Sequence, residues 1–466
     1  MALTAQDQQL LKDIYQRLKD IPLTPGNAFY EPVYQQAGVE DPMAKLGMRI
    51  ELSGAESLQL FSGFQGSGKT TELFRLRRDL EQKGCLVLYA NALDYISDSN
   101  EVDITTMLMS IAGAFGEHLK DEGAHIMSES FWARFSNYLT NTTIELSDVG
   151  IKTEAGVPAI AKELVGDIKA GVDLKLALKT APSFRQKLES FLANRLYELK
   201  QQVNTFVEEG VKRIREKKGR PELPIVFLFD QFEQVRGSRT NEQEVIHSIE
   251  KLFRDHLQML RLPLVHVIYT VPPWLQFSQP GAFNTETNIE TLPCVRLWKN
   301  DPQRSHCPEG WRLFRETIIR RFDKNNFNRI FGADQPAAQR LVDPIIVMSG
   351  GHFRDLLHLL RETLVLILTW QPELPVKPEV IERAIANLRS QFLPIAIEDA
   401  RWLDRIARER NTGLIDNKPE SVSRLNGFLN RHWALYLTNG KDWYDIHPLI
   451  RDEVATLAKS PTIQQT

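Results

Sequence analysis

Cysteine is nearly missing from this sequence. Its three cysteines, Cys85, Cys294 and Cys307, form neither a CxxC pair nor an even set. A disulfide-stapled secreted scaffold is therefore excluded, and the thiols are expected to be reduced in a cytoplasmic setting. An excess of charge of one sign is lacking too: 57 Lys and Arg face 60 acidic residues, for a net charge of -3. No global field draws such a chain onto nucleic acid or anionic lipid, so any contact of that kind has to be local. Long apolar runs are also absent. Ile225–Phe229 has the length of a strand, far short of the ~20 residues that cross a bilayer, and the first twenty residues carry acids in a helical period where a signal peptide would be basic and then apolar. No membrane partner is expected. No repeat or low-complexity tract is visible, which argues against a solenoid.

What is present is ordinary for a globular protein: 42% apolar and 25% charged residues over 466 positions, long enough for two or three packed domains. A helix is expected up to about Asp20, followed by a Pro-rich stretch from Ile21 to Pro32. Strands and helices then alternate: Ser57–Phe61, Thr70–Gln82, Cys85–Ala90, Ile104–Leu119, Ile225–Phe229, Leu264–Tyr269 and Thr291–Leu297. Unbroken apolar strands between helices indicate a parallel sheet covered on both faces. The stretch from Gly123 to Pro224 exceeds what a crossover needs. Its centre, Thr143–Leu178, leaves hairpin and helix open, whereas apolar residues from Phe184 to Ile214 keep a helical spacing. That helix is read either as packed on its own domain or as an arm for a partner. Its basic end, Lys212–Lys218, reads as a solvated last turn favoured by the helix dipole. Trp311–Leu388 reads as a helical domain. Beyond it, helices near Ile397–Arg410 and Val422–Arg431 precede Trp433–Leu437, an Asn439-Gly440 turn and Trp443–Ile446, the pattern of a winged helix. The expected domains are 1–44 (helix and linker), 45–303 (α/β domain with an insertion at about 124–222), 304–390 (helical lid) and 391–466 (winged helix).

One segment carries a strong chemical signal. Gly63-Phe64-Gln65-Gly66-Ser67-Gly68-Lys69-Thr70 fits G-x-x-x-x-G-K-[ST], with a strand before it and a helix after it. In this P-loop pattern backbone N–H groups wrap phosphates at a helix N-terminus. Gly63, Gln65, Gly66, Ser67, Gly68, Lys69, Thr70 and Thr71 are the expected nucleotide contacts, with Lys69 on the β- and γ-phosphates and Thr70 on Mg2+. The metal needs a second, acidic contributor at the tip of a buried strand. Asp230 follows Ile225–Phe229, and three residues later Glu233 is placed to deprotonate water. The plain alternative for either acid is a helix cap. Thr270, at the end of the next strand, is a candidate γ-phosphate neighbour. His266, in mid-strand, reads as a core imidazole. Arg354, in the first turn of the helix opened by Ser349-Gly350-Gly351-His352-Phe353, opposes the helix dipole unless an anion compensates, and so is a candidate phosphate sensor. No Asn-Lys-x-Asp motif follows the sheet, and Asn417-Lys418-Pro419-Glu420 lacks the Asp, so ATP/ADP is expected over guanine nucleotides.

GFQGSGKT, FLFDQFEQ and SGGHFRDLLHLLR together resemble the AAA+/STAND group of P-loop ATPases from roughly Phe29 to the end. The resemblance implies a P-loop NTPase fold with helical lid and winged helix, with Asp230 on Mg2+, Glu233 on water and Arg354 on phosphate. Tyr444-Asp445-Ile446-His447-Pro448 is similar to the Met-His-Asp segment of STAND winged helices, with Ile446 for Met and Pro448 for Asp. By that likeness His447 would touch the ADP β-phosphate. The resemblance further implies a slow ATPase switch, often in antiviral systems, that forms homo-oligomers or engages separate effector or sensor proteins, with an arginine finger among Arg254, Arg261, Arg320 and Arg321. The competing implication is an initiator-like ATPase that binds DNA through its winged helix, where Lys418, Arg424, Arg431, His432 and Lys441 give modest positive charge.

Overall fold

The computed structural model describes residues 2–36, 41–122, 131–148, 163, 174–238, 240–278, 287–416 and 418–460. Most of the ambiguous centre of the insertion lies outside these residues, as does Asn417. The fold is α/β. Five strands, β1 (Ser57–Gly63), β2 (Leu86–Asn91), β3 (Ile225–Asp230), β4 (His266–Val271) and β5 (Ile289–Leu292), form one sheet in the order β2-β3-β4-β1-β5. β1 with β4, β4 with β3 and β3 with β2 pair in parallel. β3 and β4 are buried along their whole length, which is why neither shows polar alternation. The architecture is that of a P-loop NTPase, with a helical region and a winged helix C-terminal to the sheet.

Several elements differ from expectation. The strand expected at Thr291–Leu297 is instead Ile289–Leu292, because Pro293 has no N–H to continue the ladder. β4 begins at His266 after Leu264 turns at φ 61°, so Thr270 sits inside the strand. The helical run from Phe184 to Ile214 is two helices, Pro182–Leu192 and Leu196–Lys218. The three residues between them amount to nearly one helical turn. The apolar phase therefore passes through the break unchanged, and periodicity alone could not reveal it. Gly219 closes the second helix in the left-handed region (φ 63°), just after the basic residues. His266 is buried with Nδ1 3.0 Å from Ser57 Oγ on the paired strand, as a core imidazole.

The chain folds into two compact units that interleave in sequence: Met1–Met43, Gly63–Arg75 and Thr291–Thr466 form one, Ala44–Ser62 and Leu76–Glu290 the other. In the second unit the helix Ile104–Asp121 packs on Leu196–Lys218, and Gly210 permits it, since a Cβ there would lie 2.4 Å from Leu119. Among the described residues, no helix is long and apolar enough to cross a membrane.

The first unit holds the helical region, five helices between Pro308 and Gln391, and the wing. In the wing, β6 (Ala434–Thr438) and β7 (Asp442–Ile446) pair antiparallel around Asn439-Gly440-Lys441, with Gly440 at φ 91°. Asp445 is fully buried at the end of β7 and anchors the wing electrostatically: Arg304 donates to both its oxygens (2.8 and 3.0 Å), and Arg410 and Arg451 reach the same carboxylate. The two glycines of Ser349-Gly350-Gly351 follow from geometry. Both have positive φ (64° and 80°), and a Cβ on Gly351 would fall 1.9 Å from the Val295 carbonyl oxygen, while Val295 N–H donates to Gly351 O at 2.8 Å. Gly351→Ala is predicted to destabilise the protein by about 2–3 kcal/mol. A lowered urea midpoint at constant slope would show this; an unchanged midpoint would contradict the close approach.

Candidate nucleotide site

The P-loop belongs to the first unit and takes its shape from its glycines. Gly66 and Gly68 lie at φ 84° and 99°, a region that turns successive N–H groups toward one side without a Cβ in the way. Lys69 is buried and folds back over the loop, donating to Gly63 O (3.1 Å) and Phe64 O (2.9 Å). Ser67 Oγ donates to Phe64 O at 2.8 Å and stiffens the turn. These are features of a loop preset for an anion, with an ammonium that has carbonyls to exchange for phosphate oxygens.

The segment after the N-terminal helix clamps the P-loop helix, which the sequence did not suggest. Leu23 N–H donates to Thr71 Oγ1 (3.0 Å), Tyr30 OH to Glu72 (3.2 Å), and Asp41 takes two hydrogen bonds from Arg75, which also donates to Glu72 at 2.8 Å. Arg75 is 2% exposed, so a dry ion network fixes the helix. Burial raises the Glu72 carboxyl above its ordinary range, and Arg75 opposes the shift. The hydroxyl of Thr71 is thus engaged with the backbone of this segment.

Between this segment and the lid lies a small cleft of about 70 Å³, open to solvent. Leu23, Phe29, Tyr34 and Leu357 give it apolar walls, and Gly66, Ser67, Gly68 and Thr71 form its phosphate end. Apolar walls contiguous with a P-loop are the chemistry that packs against a nucleotide's base, although the cleft as it stands is narrower than a ligand pocket and would have to widen. Arg321 also lines the cleft, buried, with its guanidinium 5.3 Å from the Phe29 ring centroid and a hydrogen bond to Arg17 O. Burial pulls its pKa down to about 10, with Asp20 opposing. A buried arginine at the mouth of an anion cradle suits a negatively charged ligand.

Arg354 lies directly over the loop: its N–H donates to Gly66 O (3.3 Å), and a Cβ on Gly66 would come within 2.6 Å of its side chain. Its guanidinium is held by Asp20, which occupies the place of the compensating anion that the sequence argument asked for. His447 is fully buried, with Nε2 3.4 Å from Asp355 Oδ2 and its ring centroid 4.8 Å from that of Phe392.

The remaining candidates belong to the second unit. The register Phe229 with Tyr269 and Phe61 with Thr270 brings Asp230 and Thr270 to the end of the sheet at which β1 leads on into Gly63. Asp230 is fully buried: Tyr89 OH donates to one oxygen (2.9 Å) and Gln231 N–H to the other (2.7 Å). Burial, and next the Asp230 charge, push the Tyr89 hydroxyl well above its ordinary pKa, so it remains a donor. Gln231 turns at φ 67°, sending the chain into the short 3-10 turn that carries Glu233, itself buried. Thr270 Oγ1 accepts from Phe232 N–H at 3.1 Å, so this threonine positions the turn between the two acids.

No protein-family model and no curated protein matches the chain. Among solved structures it is similar to the Walker-type ATPase PABY2304 of Pyrococcus abyssi (13% identity, covering 95% of this chain and 99% of that one, TM-score 0.38). It is also similar to the ORC2 protein of Aeropyrum pernix, solved as ADPNP-ADP complexes (12% identity, 95% and 96% covered, TM-score 0.38), and to Cdc6p of Pyrobaculum aerophilum (10% identity, 92% and 97% covered, TM-score 0.32). Overlaps this loose carry no argument about function.

A phosphate bound at the loop would compete with Asp20 for the Arg354 guanidinium. Asp20→Ala is therefore predicted to tighten ATP binding by a few-fold, since the exposed pair is worth only about 1 kcal/mol. A calorimetric titration showing equal or weaker affinity would reject this competition.

Proposed function

We propose that the chain is a Mg2+-dependent ATPase that works as a nucleotide-governed switch. The observation that carries this reading is the P-loop itself: glycines at positive φ and an inward-folded Lys69, contiguous with a small apolar-walled cleft. Glycines at positive φ ahead of a helix N-terminus, with a threonine next to the lysine, are a donor set that fits a Mg2+-nucleotide. Bound ATP supplies the phosphoanhydride to be cleaved and Mg2+ the counter-charge for it. The chain's own roles follow. Lys69 and the loop N–H groups would neutralise phosphate and Thr70 would hold the metal; Asp230 is proposed as a metal ligand and Glu233 as acceptor of the attacking water's proton.

The switch part of the reading draws on the way Arg354 and the segment from Asp20 to Tyr34 share the cleft with the P-loop. A ligand that displaces Asp20 from Arg354 has differential contacts with two states of these elements, which is what a population shift requires. By resemblance to STAND ATPases, that shift would gate assembly with copies of the chain or with separate effector or sensor proteins in the cytoplasm. DNA binding through the wing is the second reading. There Arg424 is paired with Asp399 and Lys418 with Asp416, so DNA would have to displace surface ion pairs, and salt-sensitive binding lost in Arg424→Ala/Arg431→Ala would support it.

Lys69→Ala is predicted to abolish ATP binding in a direct titration, and retained affinity would overturn the P-loop role. Glu233→Gln is predicted to keep ATP affinity while slowing single-turnover hydrolysis by about 10²-fold or more. An unchanged rate would remove Glu233 from the chemistry.

A further inference from the structure

Behind the P-loop the first unit buries three imidazoles around one carboxylate. His352 and Asp355 belong to the N-terminus and first turn of the helix Phe353–Thr369, His432 to the turn after the helix Pro419–Asn430, and His447 to the end of β7. All four are at most 8% exposed. Asp355 Oδ2 lies 2.9 Å from His352 Nδ1, 3.2 Å from His432 Nδ1 and 3.4 Å from His447 Nε2, and the rings of His352 and His432 approach to 4.0 Å between centroids.

Hydrogen bonding alone does not account for this packing. One carboxylate oxygen has two lone pairs and faces three ring nitrogens. The closest of these, His352 Nδ1, lacks hydrogen-bond geometry despite its 2.9 Å separation, and none of His352 Nε2, His432 Nε2 and His447 Nε2 has a hydrogen-bond partner among the described residues. Buried ring nitrogens without partners are costly. Ligands at ~2.0–2.1 Å from a tetrahedral ion are separated by about 3.3 Å, close to the spacings seen around Asp355.

We propose that His352, His432 and Asp355 form a binding site for a divalent transition-metal ion of the zinc class. One ligand atom from each residue lies within 4.8 Å of the others. Two imidazoles and one carboxylate suit Zn2+, Co2+, Ni2+ or Fe2+; Mg2+ and Ca2+, which prefer all-oxygen shells, do not fit. His447 is the positioning residue. Its Nδ1 accepts from Leu449 N–H (3.3 Å), which leaves the proton on Nε2, 3.4 Å from Asp355 Oδ2 but without hydrogen-bond geometry; a small turn of the carboxylate on metal binding would complete that bond, as outer partners of metal ligands do. The ion would tie the wing to the lid helix one side chain from the P-loop, since the His432 ring meets Phe64 edge to face at 6.1 Å. Arg354, between the two ligands of the lid helix, would then be held over Gly66 by a metal-pinned helix turn.

The test uses full-length protein without a polyhistidine tag, free of nucleotide and Mg2+, so that its outcome is independent of the P-loop reading. Metal content is measured by plasma mass spectrometry. Chelator-stripped protein is then titrated with Co2+ while visible absorption is recorded, and its Tm is read with and without Zn2+. Expected are about one transition-metal ion per chain, a Co2+ d–d band, a Tm raised by Zn2+, and loss of band and ion in folded His432→Ala or His352→Gln, with fold checked by circular dichroism. A metal-free wild type whose Tm ignores Zn2+ overturns the proposal without need of either variant. So does a folded variant that keeps its full complement of metal.

Discussion

At Gly66 the lid's first turn meets the phosphate loop with no room for a side chain. Arg354 N–H donates to Gly66 O at 3.3 Å, and a Cβ there would press into the arginine at 2.6 Å. This contact gives the interleaved units a local physical reason. Residues 63–75 cluster with the N-terminal segment and everything after Thr291, although the strand leading into them belongs to the sheet. With Arg354 over the loop, Asp20 on Arg354, and Leu23, Tyr30 and Asp41 bonded to the helix that follows, the loop is enclosed by chain far from it in sequence. Those remote residues shape the cleft wall, while the loop supplies the phosphate end.

The two acids obey a second local constraint. A fully buried Asp230 is tolerable because Tyr89 and Gln231 each give it a donor, and the turn at Gln231 that makes this possible also aims the chain toward Glu233. Thr270 adds a third tie by accepting from Phe232 N–H. A threonine read from sequence as a γ-phosphate neighbour is thus, within its own unit, a brace for the acid-bearing turn.

The legible parts of the sequence were those in which one residue type answers a local demand. GFQGSGKT declared its loop through glycines that only positive φ explains, β3 through an unbroken apolar run, and the wing through Asn439-Gly440 between aromatic-rich strands. Illegible were features assembled from distant positions. Nothing in the Pro-rich stretch after Asp20 announces that Leu23 and Tyr30 will hold the P-loop helix, because those bonds span more than forty residues. The break at 193–195 was hidden because its length keeps the helical phase. His447 had been assigned to a nucleotide phosphate by family likeness. The grouping of His352, His432 and His447 on Asp355 has no spacing signature at all, since its members come from a helix start, a turn and a strand end. Ion pairs followed the same rule: nothing in Tyr444-Asp445-Ile446 announces that Asp445 is the buried centre of three arginines.

The central claim is that nucleotide occupies a cradle built by the P-loop, the segment from Asp20 to Tyr34 and the start of the helix at Phe353. Hydrogen exchange of the full-length protein with and without saturating ATP and Mg2+ tests it most directly. The account predicts slowed exchange in residues 20–34, 63–71 and 353–357 together. Unchanged exchange in all three segments, with nucleotide demonstrably bound, would contradict it.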